Sequence, residues 1–162
     1  MLQQAFAFKR WADRRTLEAV GRIDREAHPE PSAFAREQLN HIVIVEELFA
    51  SRLTDSLPPH EATNTRAVPE LPVLAERLEA SNAWYQTYLS ASSESQEASI
   101  SFTFADGRQG CMTPTEMLFH VLTHGSYHRG NIARALDQAG VPHPPDGFGI
   151  FLHQQEPERR GA

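Results

Sequence analysis

Three histidines, His120, His124 and His128, recur every fourth residue within the segment Thr113-Pro-Thr-Glu-Met-Leu-Phe-His-Val-Leu-Thr-His-Gly-Ser-Tyr-His-Arg-Gly-Asn-Ile132. A four-residue step carries a helix one full turn plus about 40°, so on a helix the three imidazoles project from one face. Consecutive imidazoles placed this way can grip a single metal ion. One His-x-x-x-His pair is a weak signal by itself, so the chemistry depends on the helix that carries it and on what faces that helix.

The carrying helix is well marked. Thr113 with Glu116 makes a capping-box pattern, and Pro114 falls at the first helical position. Leu118, Val121, Leu122, Gly125, Ile132 and Leu136 recur at spacings of three and four until Gly140 and Pro142 stop the pattern. His124 and His128 fall on the flank of this apolar stripe, looking into the edge of a bundle interior. His120 lies further round, towards solvent.

A second helix can supply a further ligand. Leu39, Ile42, Phe49 and Leu53 form an apolar row that Val45 and Leu48 widen on the side of His41, which places His41 inward. Three neutral imidazoles from two helices, His41, His124 and His128, suit zinc, nickel or ferrous iron. They also leave positions open for water or substrate, which separates a catalytic site from a structural one. With His41 in that role, His120 reads as a supporting or partly exposed histidine. His28, His60, His143 and His153 lie beside prolines or in an expected loop or tail and are read as surface residues.

The rest of the chain must hold these helices in place. At 162 residues it fits one domain, over residues 1–155, followed by a polar tail over 156–162. That length buries a sizeable core without disulfides or a structural metal, so a metal here would be functional. Cys111 is the only cysteine and cannot form an intrachain bridge. No secretory leader or membrane-spanning run is visible, and the expected location is the cytoplasm. Fifteen Lys plus Arg against 21 Asp plus Glu give a net charge of −6, which argues against nucleic acid and anionic membrane as partners.

Periodicity predicts four long helices: roughly Leu2 to Ala27, Ser32 to Thr54, Pro69 to Leu89, and the histidine helix after Thr113. The first two stop at proline signals, and Ser90 to Ser95 reads as a loop. Ile100 to Phe104 and Gln109 to Met112 flank the Asp106-Gly107 turn signal, predicting a small hairpin just before the fourth helix. The fold class is therefore all-α, a four-helix bundle whose sites are built from facing core side chains.

Three segments together resemble the DinB-like metalloproteins: His41-Ile-Val-Ile-Val-Glu-Glu-Leu-Phe49, the hairpin with Asp106-Gly107, and His124-Gly-Ser-Tyr-His-Arg-Gly-Asn-Ile132. Trp11-Ala12-Asp13 is similar as well, so the likeness spans nearly the whole chain. The resemblance implies an up-down-down-up bundle, often a homodimer, with one divalent metal on a helix-two histidine and two helix-four histidines. Matched residue by residue these are His41, His124 and His128. Asn131 stands where the family more often has Gln. Some relatives are transferases or isomerases that use low-molecular-weight thiols such as bacillithiol or mycothiol.

Two function classes follow. One is a metal-dependent enzyme, a thiol S-transferase or isomerase, in which the ion activates a thiol or water for attack on a small electrophile. The other is a noncatalytic metal-binding, stress-associated protein. No protein group is assigned a catalytic role: Cys111 has no basic cluster beside it to lower its pKa, and no phosphate loop or serine elbow is present. Arg129 falls inside the apolar stripe and needs an acceptor, with Glu46 and Asp13 as candidates. Tyr127 points away from the histidine sector, towards a dimer surface or simple packing. Trp11, Trp84, Phe6 and Phe8 fill core or interface; the aromatic surplus on the first helix also suggests a homodimer.

Overall fold

Proline and capping chemistry set most of the helix ends. The structure, a computed structural model, describes residues 1–91 and 98–160. Helix α1 spans Leu2–Val20, α2 Pro29–Leu53, α3 Leu71–Ala91, α4 Pro114–Gln138 and α5 Phe148–Gln155; strands β1 (Ile100–Thr103) and β2 (Gln109–Met112) precede α4. The stretch expected as a loop, Ser90 to Ser95, begins inside α3, and its remainder falls among residues 92–97, outside the described residues.

Helix α1 ends seven residues before the predicted Ala27. Asp24 captures the Glu26 and Ala27 amides with its Oδ1, at 3.0 and 3.2 Å, offering the backbone a turn in place of another helical step. Helix α2 begins earlier than predicted, because Pro29 and Pro31 sit in a first turn, where a missing N–H is not needed. The capping box of α4 forms in full: Thr113 Oγ1 accepts from the Glu116 amide and Glu116 accepts from the Thr113 amide. Helix α5 was not predicted. Its eight residues follow a proline-dense stretch, and its Phe148 and Phe151 pack on Phe8 and Trp11 of α1. The expected polar tail contains a short 3-10 turn, Pro157–Arg160.

Bonded pairs give the direction of each helix. Gln3–Leu89 and Lys9–Asn82 run α1 and α3 antiparallel, and Gln38–Asn131 with Phe49–His120 does the same for α2 and α4. Asn40–Arg77 and Glu46–Ser81 advance together, so α2 and α3 are parallel. The Asp13–Arg129 pair, with Lys9 against Gly125, makes α1 parallel to α4. The bundle is thus up-down-down-up, as the resemblance implied. The core falls into two apolar clusters, one around Leu39, Ile42, Leu78 and Ile132, the other around Phe6, Phe49, Tyr85 and Met117.

The hairpin pairs Ile100 with Met112 and Thr103 with Gln109. Gly107 adopts φ +84° at the turn, the left-handed region that glycine tolerates. A Cβ at Gly110 would lie 2.6 Å from Phe104 and 2.8 Å from Phe102, so glycine lets both rings lie across β2. Those rings close over the end of α2, next to the histidine face of α4.

Candidate metal centre

The antiparallel pairing of α2 and α4 brings His41, His124 and His128 together, each half-buried, with one ligand atom apiece within 4.8 Å of the others. His41 and His124 approach Nε2 to Nε2 at 3.0 Å, and the His41 and His128 ring centres are 4.5 Å apart.

Each ring is oriented by what it bonds on its outer side. The Nδ1 of His41 donates to the Thr63 carbonyl at 2.9 Å, and that of His128 donates to Gln38 Oε1 at 2.7 Å. A carbonyl oxygen only accepts, so both rings carry a proton on Nδ1, and their Nε2 atoms are left to face inward. Asn131 Nδ2 donates to the same Gln38 oxygen at 3.2 Å, holding the amide that holds His128.

His124 has no such outer partner. Its Nδ1 is buried and finds no hydrogen bond among the described residues. If its proton sits on Nε2 and bridges to His41, Nδ1 is a buried acceptor without a donor. If the proton sits on Nδ1, two Nε2 lone pairs confront each other at 3.0 Å. With the proton on Nδ1, the Nε2 lone pairs of His124 and His41 meet beside His128, and a divalent cation shared by the three nitrogens supplies the positive partner they lack; Nδ1 of His124 stays buried without an acceptor. The donor set therefore fits a metal ion. Burial, reinforced by the neighbouring imidazoles, pushes His124 from 6.5 down to about 3; burial and His41 push His128 to about 4. Neutral rings are the form that ligates.

His120 is not towards solvent as the wheel suggested. It is half-buried between Phe49, whose ring centre is 4.7 Å away, and His124 at 5.4 Å. Burial and the charge of Arg52 lower its pKa. Tyr127 is also not clear of the histidine sector: it is exposed, yet its ring meets His128 edge-on at 5.1 Å. The carbonyl partners, Thr63 and Gln38, were missed by sequence reasoning. Gln38 precedes His41 by one helical turn, a readable signal; Thr63 acts through its backbone, which sequence does not reveal.

A second polar cluster crosses the bundle between the two apolar ones. Lys9 Nζ lies 2.7 Å from Asp13 Oδ2, 2.7 Å from Glu46 Oε1 and 3.0 Å from Asn82 Oδ1, all four side chains being buried. Arg129 Nη1 meets Asp13 Oδ1 at 2.9 Å, and its Nε meets Asp146 Oδ2 at 2.9 Å. Of the two acceptors considered for Arg129, Asp13 is the partner; Glu46 pairs with Lys9 instead and accepts from Ser81 Oγ at 2.5 Å. Burial raises the Asp13 pKa, but Lys9 and Arg129 more than reverse this, so it lies below the usual carboxylate range. Burial leaves Glu46 raised despite Lys9. The Lys9 ammonium bonds Asp13 and Asn82 and pairs with Glu46, whose Oε1 accepts no hydrogen bond among the described residues, so this cluster is held together by opposite charges.

Cys111 is exposed at the hairpin, and its Sγ lies 3.9 Å from Ser101 Oγ. Among the described residues no helix is long and apolar enough to cross a membrane.

Comparison with known proteins places these features in context. A sequence model described as the DinB family matches residues 1–160. The chain is 24% identical to "Protein DinB" of Bacillus subtilis (strain 168) over 174 residues, covering 95% of this chain and 98% of that protein. No solved structure matches it significantly.

Proposed function

The chain belongs to the DinB family, and from that premise we propose that it is a metal-dependent enzyme holding one zinc, nickel or iron ion on His41, His124 and His128. The single observation that carries this reading is the unmatched set of nitrogens at His41 and His124, set against outer partners that aim His41 and His128 inward. A divalent ion bound there would supply Lewis acidity, lowering the pKa of a low-molecular-weight thiol or a water so that it attacks a small electrophile.

The protein's own residues have narrower tasks. Thr63 and Gln38 fix the tautomers, Asn131 steadies Gln38, and His120 with Phe49 walls the site on the hairpin side. Cys111 is exposed on β2, opposite Ser101, and has no part in this reading.

A homodimer is part of the same proposal. The aromatics of α1 that suggested it are met within the chain by α5. The surface assigned to a second copy is instead the outer face of α4, where Phe119 and Tyr127 are 63% and 68% exposed. Light scattering at micromolar concentration should give twice the chain mass; a monomer mass throughout refutes it. A cytoplasmic location accords with the lone thiol.

The test of activity is anaerobic purification followed by a thiol-transfer screen against small electrophiles. Turnover that disappears with chelation and returns with one metal supports the enzyme. Turnover insensitive to chelation, or none with any thiol or water, contradicts it and favours a noncatalytic metal-binding protein.

A further inference from the structure

Beyond His120, away from the three-histidine cluster, the same α2–α4 seam carries a cation with no counter-charge. Arg52 is half-buried, and among the described residues no carboxylate pairs with it. Its guanidinium carbon lies 4.3 Å from the Phe102 ring centre, 4.8 Å from Phe49 and 5.6 Å from Phe104. Its Nη2 donates to the Thr103 carbonyl at 3.3 Å. Three aromatic rings surround the group, and apart from the Nη2 bond to Thr103 its N–H edge is uncommitted, since π faces attract the cation without accepting its in-plane hydrogens.

This tray adjoins the candidate centre. Phe49 contacts both Arg52 and His120, and His120 stacks on His124. Arg52 follows His41 by eleven residues of α2, a rise of about 16 Å, comparable to an extended tetrapeptide.

Resting on the function proposed above, we propose that Arg52 is the anion-binding group of that site, taking the carboxylate of a substrate or thiol whose apolar body lies along the half-buried Phe102 and His120. A planar fork on a fixed tray matches a carboxylate in bidentate fashion, and the half-buried setting reduces competition from water. The ligand class is thus a small organic acid with an apolar or aromatic portion, its reactive end reaching the histidines. A purely structural Arg52, pinning the hairpin to α2, would show no preference among ligands by charge.

Calorimetric titration of the metal-free protein with 4-phenylbutyrate and with 4-phenylbutan-1-ol isolates the carboxylate. The acid should bind about tenfold more tightly than the alcohol, and R52Q should remove the difference while leaving the alcohol unchanged. Circular dichroism checks that the fold is kept. If R52Q does not fold, R52K serves: its ammonium lacks the fork, and at least half of the preference should go. Equal binding of acid and alcohol by the native protein, no binding of the acid at millimolar concentration, or an unchanged preference in the variant overturns the proposal. The cobalt-loaded protein, titrated with 6-mercaptohexanol and followed by its visible spectrum, tests thiol binding separately. A silent spectrum there counts against the thiol reading and leaves the Arg52 result standing.

Discussion

The Lys9 and His124 clusters differ in what they bring together: opposite charges in one, lone pairs in the other. Around Lys9 opposite charges meet: the ammonium bonds Asp13 and Asn82 and pairs with Glu46, and Arg129 joins Asp13 to Asp146. Around His124 like groups meet instead, because two Nε2 atoms face each other at 3.0 Å with His128 beside them. A closed set of charges specifies how four helices pack. An open set of lone pairs specifies something that has yet to arrive, and here its nitrogen donors select a cation.

The closed cluster should fail most severely when cut. Lys9→Met leaves Glu46 without its cation and Asp13 with one fewer, and should cost about 3–5 kcal/mol. Urea denaturation checks this. Adding Glu46→Met to Lys9→Met should restore a large part of the loss, since a missing ion pair is far less costly than a stranded charge. If the double variant is no better than the single one, the cluster is not acting as a matched set.

The open cluster should respond to a ligand instead. A metal at a thousand times its dissociation constant should stabilise the native protein by about 4 kcal/mol, and His128→Ala should abolish that gain. Thermal melts with and without zinc measure it. A variant that is still stabilised by zinc to the same degree would move the site elsewhere. Gln38→Ala should be milder, weakening metal binding about tenfold by releasing His128 from its outer partner. Competition with a chelator of known affinity reads this out.

Acidity separates the clusters in a further way. In the metal-free protein His124 and His128 are lowered to about 3 and about 4, whereas unfolded they titrate near 6.5. Between those values the unfolded chain binds more protons than the native one, so stability is full above about 6.5 and falls as the pH drops towards 4. His124→Phe, which removes the ring that titrates lowest, should flatten this acid limb in denaturation curves recorded across the range. An unchanged slope would mean these rings are protonated in the fold. The smallest effect expected is that of Cys111→Ser, which should leave activity and metal content as they were, whichever assay is used.

How much of this was legible before the structure depended on whether a residue spoke through its side-chain period or through its surroundings. The capping box of Thr113 and Glu116 fixed the start of α4, and with it the common face of His124 and His128. The apolar row beside His41 put that ring on the inner side of α2. Both signals are local and periodic, and both survived folding. Lys9 was not singled out because a lysine in an amphipathic helix is ordinarily solvated, and only the arrival of Asp13, Glu46 and Asn82 from three helices makes its burial tolerable. Helix α5 was hidden by the prolines before it and by its short length, though Phe148 and Phe151 carried the packing signal. Thr63 contributes a carbonyl from an irregular connection, and no side chain announces it.

The central claim is that His41, His124 and His128 form one metal centre, and metal analysis tests it most directly. After anaerobic purification and reconstitution with zinc, nickel or iron, the native chain and His120→Ala should each retain about one ion, while His41→Ala, His124→Ala and His128→Ala should retain little. Full occupancy in His124→Ala, or no retained ion in the native chain with any of the three metals, would contradict the account.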